Sequence, residues 1–130
     1  MLDTDTCSFV VRRSSDTLLQ RIQAVPVGQQ VISVVTYAEL MYSVQLSSKE
    51  KANQATGDAL VRHLAVHEWT QDVAMHGAEI RADLTAKGSM VGAYDPMIAA
   101  HARSLGAVVV KINAKDFAGV KSLKVENWIG

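Results

Sequence analysis

The sequence predicts an α/β fold, a mostly parallel central sheet flanked by helices, and three observations carry that expectation. Short apolar runs alternate along the chain with longer segments that begin and end in helix-capping residues. The two strongest runs, QVISVV at 30–35 and AVVVKI at 107–112, are nearly continuous in apolar residues. Strands covered by helices on both faces look like this, whereas half-exposed strands alternate. Finally, 130 residues with 48% hydrophobic and 20% charged side chains suit one well-packed core, so residues 1–130 are expected to form a single domain.

The elements follow in order. Met1-Leu2 is a very short apolar start, and helices are expected over 6–13 and from about 15 to 24, the second capped by Ser14, Ser15 or Asp16. After Pro26, residues 30–35 read as a buried strand. Thr36 then opens a helix to Leu46, with Glu39 placed to complete a capping box. A more polar helix covers 48–64, and 65–69 is a further strand. Thr70 caps a helix that runs to Lys87 and stops at Gly88. Asp95-Pro96 starts the next helix, since proline suits a first helical position, and Leu105-Gly106 ends it. Residues 107–112 form the second strong strand and 123–125 a weaker last one.

Composition excludes several classes of function. Thirteen Lys and Arg balance thirteen Asp and Glu, so no general basic field marks a nucleic-acid or membrane partner, and such contacts must be local. One cysteine, Cys7, can form neither an internal disulfide nor a cysteine-rich zinc site. With no apolar run of membrane-span length and no signal-peptide pattern, the expected location is the cytoplasm. His63, His67, His76 and His101 lack metal-ligand spacing, and His101 reads as a packing residue. Cys7 reads as a small buried hydrophobe.

In a parallel sheet the functional site lies beyond the carboxyl ends of the strands. Asp3 follows Met1-Leu2, Glu39 follows the 30–35 strand, and Asn113 and Asp116 follow the 107–112 strand. Asp95, at a helix start, can join them from the side. Each acid alone has a structural alternative: Glu39 as capping partner, Asp95 as N-cap, Asp3 and Asp116 as turn residues. Together they would repel one another unless a cation neutralised them, and a hard divalent ion held through oxygen does so.

These residues resemble a known family. LDTDT at 2–6, VTYAELMYSV at 35–44, VGAYDPMIAAHA at 91–102 and LKVENW at 123–128 are similar, in order and spacing, to segments of PIN-domain ribonucleases of the VapC type. The resemblance implies the PIN-domain fold and a metal-dependent endoribonuclease that acts as the toxin of a toxin-antitoxin pair. It implies magnesium or manganese as cofactor, structured RNA such as tRNA as substrate, a small VapB-like antitoxin as partner, and a homodimer. It assigns the metal site and catalysis to Asp3, Glu39, Asp95 and Asp116, with Asp3 and Asp95 central. In such pairs the antitoxin lays a segment along an apolar groove, for which Met41, Tyr42, Val44 and Leu46 are candidates, equally readable as core or dimer interface. Arg12 and Arg13 are candidates for RNA phosphates or for stabilising a helix end.

Four departures stand out. The family's first strand is longer, which places the expected start upstream of Met1 and makes Met1-Leu2 short for a central strand. Asp5 adds an acid where the family has asparagine; at a helix start it also complements the helix dipole. Pro96 replaces an aliphatic residue. Lys111 and Ile112 stand where a hydroxyl and an amide support the acids. A fixed ammonium at Lys111 would offset the charge that draws a metal, which motivates the alternative of a catalytically weakened PIN-fold protein acting by dimerisation and by antitoxin or RNA binding. A third possibility is an RNA-processing nuclease with no antitoxin.

Overall fold

Every strand among the described residues is two or three residues long, and the first of them passes directly into a helix. In the computed structural model, which describes residues 1–12, 16–88, 95–111, 117 and 119–128, the backbone alone is described at positions 16, 50 and 95. The elements are α1 (Thr4–Val11), α2 (Asp16–Ala24), β1 (Val31–Ser33), α3 (Val34–Leu46), α4 (Glu50–Arg62), β2 (Ala65–His67), α5 (Gln71–Ala86), α6 (Asp95–Leu105), β3 (Val109–Val110) and β4 (Val125–Glu126).

β1 pairs in parallel with β2, setting Ile32 beside Val66, and β3 pairs in parallel with β4, setting Val110 beside Glu126. The first three residues join the two ladders. Leu2 N–H donates to the Val31 carbonyl at 3.0 Å, Val110 N–H to Met1 at 2.8 Å, and Asp3 N–H to Val110 at 3.1 Å. The order across the sheet is therefore β2, β1, residues 1–3, β3, β4. Two apolar residues do hold the centre, contrary to the expectation that Met1-Leu2 is too short, because both neighbours supply backbone partners.

Side chains alternate across this sheet, and both faces are covered. Leu2, Ile32 and Val110 point into a core shared with Val10 of α1, Leu18 of α2 and Leu60 of α4. Met1 and Val109 point into the other, with Val73 and Ile80 of α5 and Ile98 of α6. Each such side chain contributes about 1.5–3 kcal/mol by leaving water. Truncating Ile32, which is fully buried, to alanine would cost about 2–5 kcal/mol.

Two helices start earlier than expected, for one physical reason. Ser33 Oγ accepts the Val35 N–H at 3.1 Å and caps α3, so Val34 and Val35 enter the first helical turn despite their preference for strands. Thr36 is thus inside the helix, and the capping box expected of Thr36 and Glu39 is not formed. Asp3 likewise caps α1 by accepting the Thr6 N–H at 3.0 Å, which moves that helix forward to Thr4. The 30–35 strand shrinks to three residues, the 107–112 strand to Val109–Val110, and the last strand shifts to Val125–Glu126.

The expected helix ends fare better. Thr70 Oγ1 accepts the Val73 N–H at 3.3 Å and caps α5. Gly106 follows α6 at φ +64°, where its N–H reaches Arg103 at 3.2 Å and the Ala107 N–H reaches Ala102 at 2.9 Å. That pair of bonds closes a helix through a left-handed residue, which glycine adopts without strain. Among the described residues no helix is long and apolar enough to cross a membrane.

Candidate active site

At the carboxyl edge of the sheet, Asp3 is held from two sides, by α1 and by the chain at the end of β3. Its Oδ1 accepts the Thr6 N–H and lies 2.6 Å from the Thr6 hydroxyl, which is also 3.1 Å from the Val110 carbonyl. Its Oδ2 accepts from Lys111 Nζ at 2.7 Å. Asp3 is 2% exposed and Lys111 1%, so this is a buried ion pair. Lys111 N–H also donates to Glu126 at 3.0 Å, which fixes its backbone beside β4, and its ammonium lies 5.1 Å from the centre of the Phe117 ring. Asp5, one residue into α1, reaches the same ammonium at 3.4 Å from an exposed position.

Glu39 arrives from the second turn of α3. Its Oε1 accepts from the Thr4 hydroxyl at 2.7 Å, and that hydroxyl stands 3.4 Å from Thr36 Oγ1. Asp3 and Glu39 thus lie at one edge, as expected from their positions after two strands, and Asp5 joins them there through the Lys111 ammonium. Asp95 is the first residue of α6; its side chain, like Asn113 and Asp116, lies outside the described residues. Thr4 and Thr6 were not singled out by sequence reasoning, although the pattern Asp-Thr-Asp-Thr after a strand carried a signal: hydroxyls one and three residues past a capping acid fall in the first helical turn.

Beside the acids runs a groove of about 850 Å³ between α1 and α3, lined by Asp5, Phe9, Arg12, Glu39, Tyr42 and Met97 among others. A second hollow of about 410 Å³ shares Ser8, Arg12 and Ser43 with it and continues to Leu46. Of the four candidates for an apolar groove, Tyr42 and Leu46 are exposed and line these hollows. Val44 is buried, and Met41 packs against the core. Arg12 is the C-cap of α1 and also lines the groove.

Two other candidates prove structural. Burial pushes the Cys7 thiol well up, and the neighbouring Asp3 charge adds to that, so the sulfur is no nucleophile. His101 Nδ1 lies 2.7 Å from Ser33 Oγ, and its ring packs edge-on against Trp69 and His67. Burial, then the neighbouring His67, lower its pKa, while a backbone hydrogen bond at Glu68 raises it. It ties α6 to the ends of β1 and β2, as a packing residue should.

The donors suit a hard cation. Asp3, Asp5 and Glu39 offer carboxylate oxygens, and Asp3 already holds a cation in the Lys111 ammonium. Among the described residues no three carboxylate, imidazole or thiolate groups close on one point.

Comparison with known proteins gives the family. The PIN domain family model matches residues 1–123. A Salmonella typhimurium protein named tRNA(fMet)-specific endonuclease VapC is 35% identical over 128 residues, covering 98% of this chain and 96% of the relative. Ribonuclease VapC2 of Haemophilus influenzae is 33% identical over 129 residues, covering 99% and 97%. Among solved structures, DNA-bound VapBC from Salmonella typhimurium superposes with a TM-score of 0.92 at 35% identity, covering 99% of this chain and 97% of that one. VapBC2 from Rickettsia felis, bound to a DNA fragment from their promoter, gives 0.92 at 29%, covering 99% and 98%.

Proposed function

The chain belongs to the PIN domain family and, within it, to the VapC ribonucleases, and from that premise we propose that it is the toxin of a toxin-antitoxin pair that hydrolyses tRNA with a divalent metal ion. The observation that carries this reading is the buried Asp3 carboxylate at the sheet's carboxyl edge, with Glu39 oriented beside it by Thr4. The Salmonella relative's name supports tRNA as the substrate class.

Asp3 and Asp95 would be the central metal ligands, with Glu39 and Asp116 as outer ligands or water-positioning groups. Magnesium, or manganese in its place, supplies water activation and neutralises phosphate charge when bound. The protein's own part is positional. Thr6 fixes one Asp3 oxygen, which leaves Oδ2 as the oxygen turned to the cation. Thr4 fixes one Glu39 oxygen, which orients the carboxylate without a charge of its own. Arg12, on the groove wall, offers a guanidinium to a phosphate of the RNA backbone.

In this reading the partner is a VapB-like antitoxin, as in the VapBC complexes the fold matches. Its apolar segment would lie over Phe9, Tyr42 and Leu46, and the toxin would work as a cytoplasmic homodimer. The test is incubation of purified protein with total tRNA in magnesium, manganese or EDTA. Metal-dependent cleavage at mapped positions is expected; cleavage unaffected by EDTA would sink the reading.

One observation favours a second reading, in which the chain binds its partners but cuts weakly: Lys111 already neutralises Asp3. No cutting by wild type, with cutting gained in Lys111→Thr, would select it.

A further inference from the structure

The ammonium of Lys111 stands at the acid edge, yet metal-assisted hydrolysis has no use for it. A buried lysine that stays charged needs a carboxylate beside it. Here that carboxylate is Asp3 Oδ2, at 2.7 Å, the same oxygen that Thr6 leaves available for a metal. An ammonium and a divalent ion at contact distance from one buried oxygen repel each other strongly, because water is excluded there.

We propose that Lys111 is a resident cation that competes with the divalent ion for Asp3, so that loading the metal requires the ammonium to leave Asp3 Oδ2. This rests on the metal-dependent reading above and adds a regulatory contact to it.

The geometry also supplies a place for the displaced charge. The Lys111 backbone is fixed by its bond to Glu126, so the movement is confined to the four-carbon stem. Asp5 Oδ2 lies 3.4 Å from the ammonium on an exposed side chain that can follow it outward. The ion pair changes partner from Asp3 to Asp5, and the charge on the lysine is kept. Metal affinity at Asp3 is thereby reduced by the cost of that exchange, and RNA cleavage would need more metal than the carboxylates alone would demand.

Manganese binding to the purified full chain at neutral pH, measured by titration calorimetry, tests this directly. Lys111→Met and Lys111→Gln are expected to bind manganese about tenfold or more tightly than wild type, and the gain should vanish in Asp3→Asn/Lys111→Met. Equal affinity in wild type and both variants would overturn the competition, as would a gain that survives loss of Asp3. Because either variant could fold poorly, the wild type carries its own readout. The lysine Nζ resonance assigned to Lys111 should shift as magnesium is added, and a resonance that stays fixed at saturating magnesium contradicts displacement. RNA cleavage run in parallel separates the two levels of the account. Metal-dependent cleavage with unchanged affinities removes only the competition; cleavage that persists in EDTA removes the metal-dependent reading and the competition with it.

Discussion

The Thr4 hydroxyl donates to Glu39 Oε1 at 2.7 Å, tying the first turn of α1 to the second turn of α3 across the mouth of the groove. Two residues 35 positions apart are thus linked at the point where their helices leave the sheet. Thr4→Val keeps the shape and removes the donor. It should cost about 1 kcal/mol in urea unfolding and lower kcat for RNA cleavage roughly tenfold with KM little changed, as loss of an orienting partner does. A rise in KM alone would place Glu39 in RNA binding instead.

Asp3→Asn should destabilise the fold as well as the site. The amide still offers an oxygen to the α1 cap, but the Lys111 ammonium loses the buried carboxylate 2.7 Å away, while Asp5 stands farther off at 3.4 Å on an exposed side chain. A loss of about 3 kcal/mol is expected in urea unfolding at neutral pH. Adding Lys111→Met should recover most of that stability without restoring cleavage, because the buried cation that faced Asp3 is gone but the carboxylate is still missing. A double variant no more stable than Asp3→Asn would show that the cap, rather than the ion pair, sets the cost.

His101 makes stability depend on pH. Its folded pKa is held below the ordinary imidazole value, chiefly by burial. The unfolded chain therefore binds this proton more readily than the folded one. The contribution is fully present above the unfolded value of about 6.5 and is lost as pH falls through the lowered folded value. His101→Gln, which can still meet Ser33, should flatten the fall in unfolding free energy between neutral and mildly acidic pH relative to wild type. An unchanged slope would mean that another group carries the dependence.

Tyr42 and Leu46 expose large apolar side chains, 67% and 69% accessible, along the groove. Replacing each by serine should alter stability by less than about 0.5 kcal/mol while weakening a VapB-like antitoxin at least tenfold in titration calorimetry, since buried aromatic and aliphatic anchors dominate such contacts. Unchanged affinity in both variants would move the antitoxin to another face.

The parts of the fold set by local chemistry were readable in the sequence. Apolar runs marked the strands, Thr70 and Gly106 marked helix ends, and Asp3 and Glu39 fell at the sheet's carboxyl edge. What was misread lay where two local preferences compete. Val34 and Val35 favour a strand, yet the Ser33 cap draws them into α3, so the strand ends two residues early and Thr36 loses its role as cap. Lys111 was suspected near the acids, but its full burial depends on Asp3, 108 positions away, and no local pattern encodes that partner. Asp5, noted as an extra acid, shares that ammonium, so two departures from the family pattern meet in space.

That RNA is cut at the acid edge can be tested directly. The direct measurement is magnesium-dependent cleavage of tRNA by wild type, Asp3→Asn and Asp95→Asn, each checked for folding by circular dichroism. The expected result is cleavage by wild type and a loss of roughly a hundredfold or more in each folded variant. Wild-type rates in both variants would contradict it and send the search for the catalytic centre elsewhere on the protein.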